Sequence, residues 1–269
     1  MCGTAISYNL PEGPFVSNGE TEIRCHEGIL ISSRRLADDL QPFVESLLLP
    51  QEYKIMIVGH SLGAASAAML GIFLRSRISK LRKDDTLLQV LAFASPPNLD
   101  LANALDCRSF CITIVNNCDV IPRCNLSPLL VTVEVLKVIH QRLRDKGLVA
   151  NNLQTTIALL RQLKQGTDGD MLLSASEFTK AIDDAVEKIG WDDEEHLYVP
   201  GKVIIMYDLW EKEVEQDLTE IDFAADEAVI TDGTAKVLRY IEFDERMVED
   251  HLVWPYGRSL GQLLNITTD

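Results

Sequence analysis

An α/β fold with a mostly parallel sheet is predicted by three features of this 269-residue chain. Short, almost wholly apolar runs recur at Tyr53–Val58, Leu87–Ala94 and Ser109–Val115, the pattern of strands buried on both faces. Helix-patterned segments alternate with them through short links. The first run ends in "GHSLGAASAAML", a serine between two glycines followed by an Ala-rich helical stretch. A 46% hydrophobic content with 25% charged residues supplies the core such a sheet needs.

In chain order, "AISYNLPEGPFVSNGETEI" is punctuated by Pro and Gly. It is expected to form a flap or surface loop exposing Ile6, Tyr8, Leu10, Phe15 and Val16. Ser32 to about Leu48 has apolar residues at helical spacing, and Pro50 closes that helix. The Tyr53–Val58 strand follows, then a helix from Leu62 whose alanines let it lie close to the sheet. The strands at Leu87–Ala94 and Ser109–Val115 complete the alternation. From Pro128 the character becomes helical, with "LLVTVEVLKVIHQRLRDKG", "NLQTTIALLRQLKQ" and "SASEFTKAIDDAVEKIG" each patterned as a helix. Residues 128–190 are therefore expected to be a helical insertion within a single domain spanning 1–269. Strand signals return at "GKVIIMYDLW" and "AKVLRYIEF", before a short C-terminal segment carrying His251.

The net charge of −16 argues against a nucleic-acid partner. Residues 176–250 hold 23 acids and 7 bases, so they carry the whole excess and the rest of the chain is neutral. No apolar run is long enough to span a bilayer, and no secretory signal pattern is present. These features predict a cytoplasmic protein able to sit peripherally on membranes. Cys2, Cys25, Cys107, Cys111, Cys118 and Cys124 then count as reduced thiols, mostly on buried strands. They contain no C-x-x-C pair, and no metal site is expected. Asp168, Asp170, Ser174 and Glu177 fall at positions 3, 5, 9 and 12 of a calcium-loop pattern. Gly166 at position 1 and Met171 at position 6 break that pattern, and a helix N-cap is the better account.

Ser61 in "GHSLG" stands where a strand turns sharply into a helix, the placement that presents a nucleophilic hydroxyl. Side chains at the flanking glycines would be expected to clash. The helix start and the Leu62 N–H supply partial positive charge for an oxyanion. Serine chemistry also needs a base and a carboxylate to orient it. Asp119 lies four residues past Val115, at the C-terminal edge of a parallel strand. Among five histidines, His60 lies within the turn, pointing away from the nucleophile, and His140 and His196 sit in the helical insertion and an acidic loop. His251 alone follows the last strand signals. Chain order and position select Ser61, Asp119 and His251.

Together "IMIVGHSLGAA", "LAFASPP", "IVNNCDVIPR", "HLYVPGKVIIM" and "MVEDHLVWPYGRSL" resemble the class 3 lipase family, especially its diacylglycerol-lipase-like members. The "CHEGIL" stretch is similar to that family's His-x-Gly segment. The resemblance implies an α/β-hydrolase fold with Ser61 as nucleophile, Asp119 as orienting acid and His251 as base. It implies hydrolysis of acylglycerol-type lipid esters at a membrane or droplet surface, with no cofactor. The family's second oxyanion donor would fall at Thr4 in "CGT", and the strands that precede that turn in the family are missing. An N-terminally shortened sheet is thus expected. The alternative is a catalytically impaired lipase-like protein that binds or scaffolds.

Overall fold

The computed structural model describes residues 5–145, 173–190, 196–207, 227–239, 241 and 246–264. They divide into two compact units, one of 1–124, 197–242 and 246–269, the other of 125–196 and 243–245.

The first unit is built on a five-stranded sheet in the order β3-β4-β5-β6-β7. Strands β3 (Ile55–His60), β4 (Leu88–Phe93), β5 (Cys111–Asn116) and β6 (Lys202–Tyr207) are parallel. Strand β7 (Glu227–Asp232) runs antiparallel at the edge. A separate antiparallel pair, β1 (Ala5–Asn9) and β2 (Glu22–His26), opens the chain. Helix α1 (Glu27–Phe43) begins five residues before the expected Ser32, capped by His26, whose Nδ1 accepts the Ile29 N–H. Pro42 lacks an N–H, and just past it Val44–Leu48 widens into a π-helical turn. Next come α2 (Leu62–Arg77), α3 (Ser79–Lys83) and α4 (Leu101–Asp106), with α7 (Val253–Leu263) closing the unit.

Close approach of α2 to the sheet is what fixes the turn at Ser61. Ala64, Ala65 and Ala68 are fully buried, and a methyl group on Gly71 would sit 2.9 Å from the Phe110 ring. The parallel strands end together, so β3, β4 and β5 deliver Ser61, Ala94 and Asn117 to one edge, all with positive φ. Ser61 and Asp119 stand in the connections that leave that edge.

Two expectations are corrected here. The Ala5–Ile23 segment is no exposed flap: Phe15 is fully buried and Leu10 nearly so, both in the main core. Where a strand is expected at "AKVLRYIEF", Lys236–Leu238 form one 3₁₀ turn, and the last strand among the described residues is "EAVITD". As an edge strand with Val229 and Ile230 exposed, it carries no buried-face signature.

The second unit pairs α5 (Leu126–Asp145) with α6 (Ala175–Ile189). Val131, Val135, Ile139 and Leu143 recur every four residues and bury against Ala185 and its neighbours. A Lys188–Glu134 ion pair of 2.7 Å flanks that seam. Ser174 and Glu177 form a reciprocal capping box at the start of α6. The helix expected at "NLQTTIALLRQLKQ", with Asp168 and Asp170, lies outside the described residues.

Burial pushes the Cys25 and Cys111 thiols from 9.0 up to about 12, and Cys107 well above 9.0. Unfolded, the same thiols ionise near 9.0, so the stability they confer as neutral groups is intact below that pH and lost on the way to about 12. The urea midpoint should therefore fall between about pH 8 and about pH 11, and less steeply in Cys111→Ala.

Candidate active site

Ser61 caps α2 with φ 59° and ψ −128°, a conformation that costs a non-glycine residue about 1–3 kcal/mol. Backbone bonds on both sides hold it there. Its N–H donates to the Phe93 carbonyl (2.9 Å), and its own carbonyl accepts from Ala64 (2.9 Å) and Ala65 (3.3 Å). Gly59 explains how the chain enters this turn, because a Cβ there would lie 2.2 Å from the Gly63 carbonyl oxygen. At Gly63 a Cβ would meet nothing within 4 Å. The expected clash is real at the first glycine only.

His251 comes from 190 residues further along the chain, in the turn before α7. Its Nε2 is 3.0 Å from the Ser61 Oγ, and its Nδ1 is 3.1 and 3.2 Å from the two Asp119 carboxylate oxygens. Asp119 is fully buried, whereas the His251 side chain is 20% exposed. The structure thus brings together all three residues selected from the sequence. Leu62 follows Ser61 as the first residue of α2, and Thr4 lies outside the described residues. Among the described residues no group of His, Cys, Asp and Glu is arranged to hold a metal ion.

Four further side chains hold this arrangement, and sequence reasoning missed them. Tyr256, buried on α7, donates its hydroxyl to Asp119 Oδ2 (2.6 Å) and accepts the Asn116 N–H (3.0 Å). Burial, followed by the Asp119 charge, pushes its phenol well above 10.0, so it remains a donor. With the Ile121 N–H (2.9 Å) and His251, the Asp119 carboxylate has three kinds of donor. Asp250, the neighbour of His251, accepts from Asn117 Nδ2 and the Cys118 N–H, each at 3.2 Å. The buried Arg123 donates to the carbonyls of Asp119 (2.6 Å), Asn117 (2.8 Å) and Val237 (3.0 Å). His60 does not turn away from the pair. Its Nε2 bonds the His251 carbonyl at 2.8 Å, and the two imidazoles lie 4.8 Å apart. A signal existed for Asp250 and Tyr256, since both flank His251 in "EDHLVWPYG", but nothing local assigns them partners.

Residues 6–128 match the model of the family described as Lipase (class 3). That segment belongs to the class 3 lipase family. It contains Ser61 and Asp119 but ends long before His251, which geometry alone brings to them. Diacylglycerol lipase-beta of Mus musculus is 33% identical over 108 residues, covering 38% of this chain and 15% of that protein. Among solved structures, the Rhizomucor miehei lipase propeptide complex is 24% identical, with a TM-score of 0.38 over 47% of this chain and 39% of that one. Lip2 lipase from Yarrowia lipolytica is 20% identical, with a TM-score of 0.36 and 46% coverage of each chain. The chain spans less than half the length of each of these relatives. Its own strand-turn-helix and mostly parallel sheet are those of an α/β-hydrolase.

Steric demand at the turn gives an asymmetric expectation. Gly59→Ala should destabilise the fold by about 2 kcal/mol or more, whereas Gly63→Ala should change it by less than about 0.5 kcal/mol. Urea denaturation of the two variants checks this, and equal effects would contradict the close approach.

Proposed function

We propose that this chain is a serine lipase or esterase that hydrolyses acylglycerol-type lipid esters through an acyl-enzyme. The observation that carries the reading is the line from Ser61 Oγ through the His251 imidazole to the buried Asp119 carboxylate. With its Nδ1 proton directed to Asp119, His251 presents a bare Nε2 to the serine hydroxyl. That nitrogen takes the Ser61 proton as the oxygen attacks the ester carbonyl. The Leu62 N–H at the start of α2 stabilises the developing oxyanion. His251 then gives the proton to the departing alkoxide, leaving an acyl-serine. Water, deprotonated by the same nitrogen, releases the fatty acid and restores Ser61.

A lipid surface is supported by what surrounds the pair. Leu62, directly after Ser61, is 67% exposed, and Val253, two residues past His251, is 66% exposed. Leu252 and Trp254 are also exposed. Among the described residues no helix is long and apolar enough to cross a membrane. Contact by an apolar rim fits these facts.

Labelling with a fluorophosphonate probe tests the nucleophile. Wild type should label and Ser61→Ala should not, while Asp119→Asn should label about 10⁴-fold more slowly. Equal labelling of wild type and Ser61→Ala would refute the assignment. The rim makes a separate prediction. Val253→Asp with Trp254→Ala should lower turnover of emulsified acylglycerol about tenfold or more, yet leave a short soluble ester within about twofold.

A further inference from the structure

Three donors share the Asp119 carboxylate, and the shortest bond is not the one to the imidazole. Tyr256 reaches Oδ2 at 2.6 Å, whereas His251 Nδ1 lies 3.1 and 3.2 Å from the two oxygens. The Ile121 N–H takes Oδ1 at 2.9 Å. Asp119 is fully buried, so these groups rather than bulk water set how its negative charge is shared.

Packing alone does not require the phenol. The buried Tyr256 ring stands edge-on to His60 and to Phe93, with centroids 6.0 Å apart in each case, and a phenylalanine would fill the same space. The Asn116 N–H needs an acceptor, and the phenol oxygen supplies it at 3.0 Å. That bond accounts for the oxygen but not for the direction of its proton, which goes to the buried carboxylate. Burial, followed by the Asp119 charge, keeps that proton on the phenol. The other titratable groups around His251 have different tasks. His60 bonds the His251 carbonyl, Asp250 accepts from Asn117 and the Cys118 N–H, and Arg123 gathers backbone carbonyls.

We propose that Tyr256 is a positioning residue that weakens His251 as a base, by drawing the Asp119 charge toward its own hydroxyl. A charge-assisted hydrogen bond disperses the charge of its acceptor, so less remains to stabilise an imidazolium. The phenol thereby sets the pH above which the imidazole is free to take the Ser61 proton. This rests on the hydrolase reading for the role of His251, while the direction of the effect follows from the carboxylate geometry.

Two measurements on the full chain test it, the pH dependence of Ser61 phosphonylation and an NMR titration of the His251 imidazole. Tyr256→Phe should move the acid limb of the rate profile, and the NMR midpoint with it, to higher pH by about half to one unit. On that limb the variant should react about three- to tenfold more slowly, and above it within about threefold of wild type. Replacing Tyr256 site-specifically by 3-fluorotyrosine keeps the shape and makes the phenol a stronger donor, so both midpoints should move to lower pH. A merely structural hydroxyl would change the rate at every pH alike and leave both midpoints in place. Unmoved midpoints in the fluorotyrosine protein, or a shift of opposite sign in either variant, overturn the proposal. Labelling that persists in Ser61→Ala would instead refute the hydrolase reading, and the NMR midpoints would still decide the role of Tyr256.

Discussion

The Asp250 carboxylate is the contact on which the site depends. It is 1% exposed and accepts from Asn117 Nδ2 and the Cys118 N–H, so the turn before α7 is docked on the loop after β5. The Val120 N–H to the Met247 carbonyl (3.1 Å) and Asn116 Nδ2 to the Asp250 carbonyl (3.3 Å) extend that seam. One residue on, His251 reaches Asp119 and Ser61 at once. Without the docking, a half-exposed turn would have to hold an imidazole between two partners by itself, at an entropic cost of roughly 1–2 kcal/mol per residue fixed.

Arg123 performs the matching task on the other loop. By gathering three carbonyls it fixes the backbone on either side of Cys118, including Asn117 in its positive-φ conformation. The Tyr256 hydroxyl then ties α7 to Asp119, and His60 ties the Ser61 turn to the His251 backbone. Ser61, Asp119 and His251 thus sit in three segments that are bonded to one another elsewhere as well as through these three side chains. Such cross-bracing is what a preorganised site requires.

Local physics made part of this legible in the sequence. The run Cys111–Val115 is apolar because both its faces are covered, whereas Met56 and Val58 on the edge strand β3 are exposed despite the same pattern. Gly59 is glycine because the Gly63 carbonyl occupies the space of a side chain. Order along the chain was enough to choose Asp119 and His251. What stayed hidden depends on distant partners. Phe15 and Leu10 sit among Pro and Gly in a stretch with no periodicity, yet the core reaches out to cover them. Strand β7 is exposed on much of its length and lies beside acidic sequence, so neither burial nor alternation announces it. Arg123, Asp250 and Tyr256 are polar residues whose burial follows from contacts made up to 140 residues away. Unit 2 shows the opposite case, since the four-residue apolar period of α5 and the Ser174–Glu177 box are both local signals.

Loop docking by Asp250 is what aligns His251 on Ser61. Its most direct test is the second-order rate of Ser61 phosphonylation in Asp250→Ala, compared with wild type at a temperature where circular dichroism shows both folded. Misplacing the base should slow the reaction about 100-fold or more. A folded Asp250→Ala protein that reacts at the wild-type rate would contradict the claim.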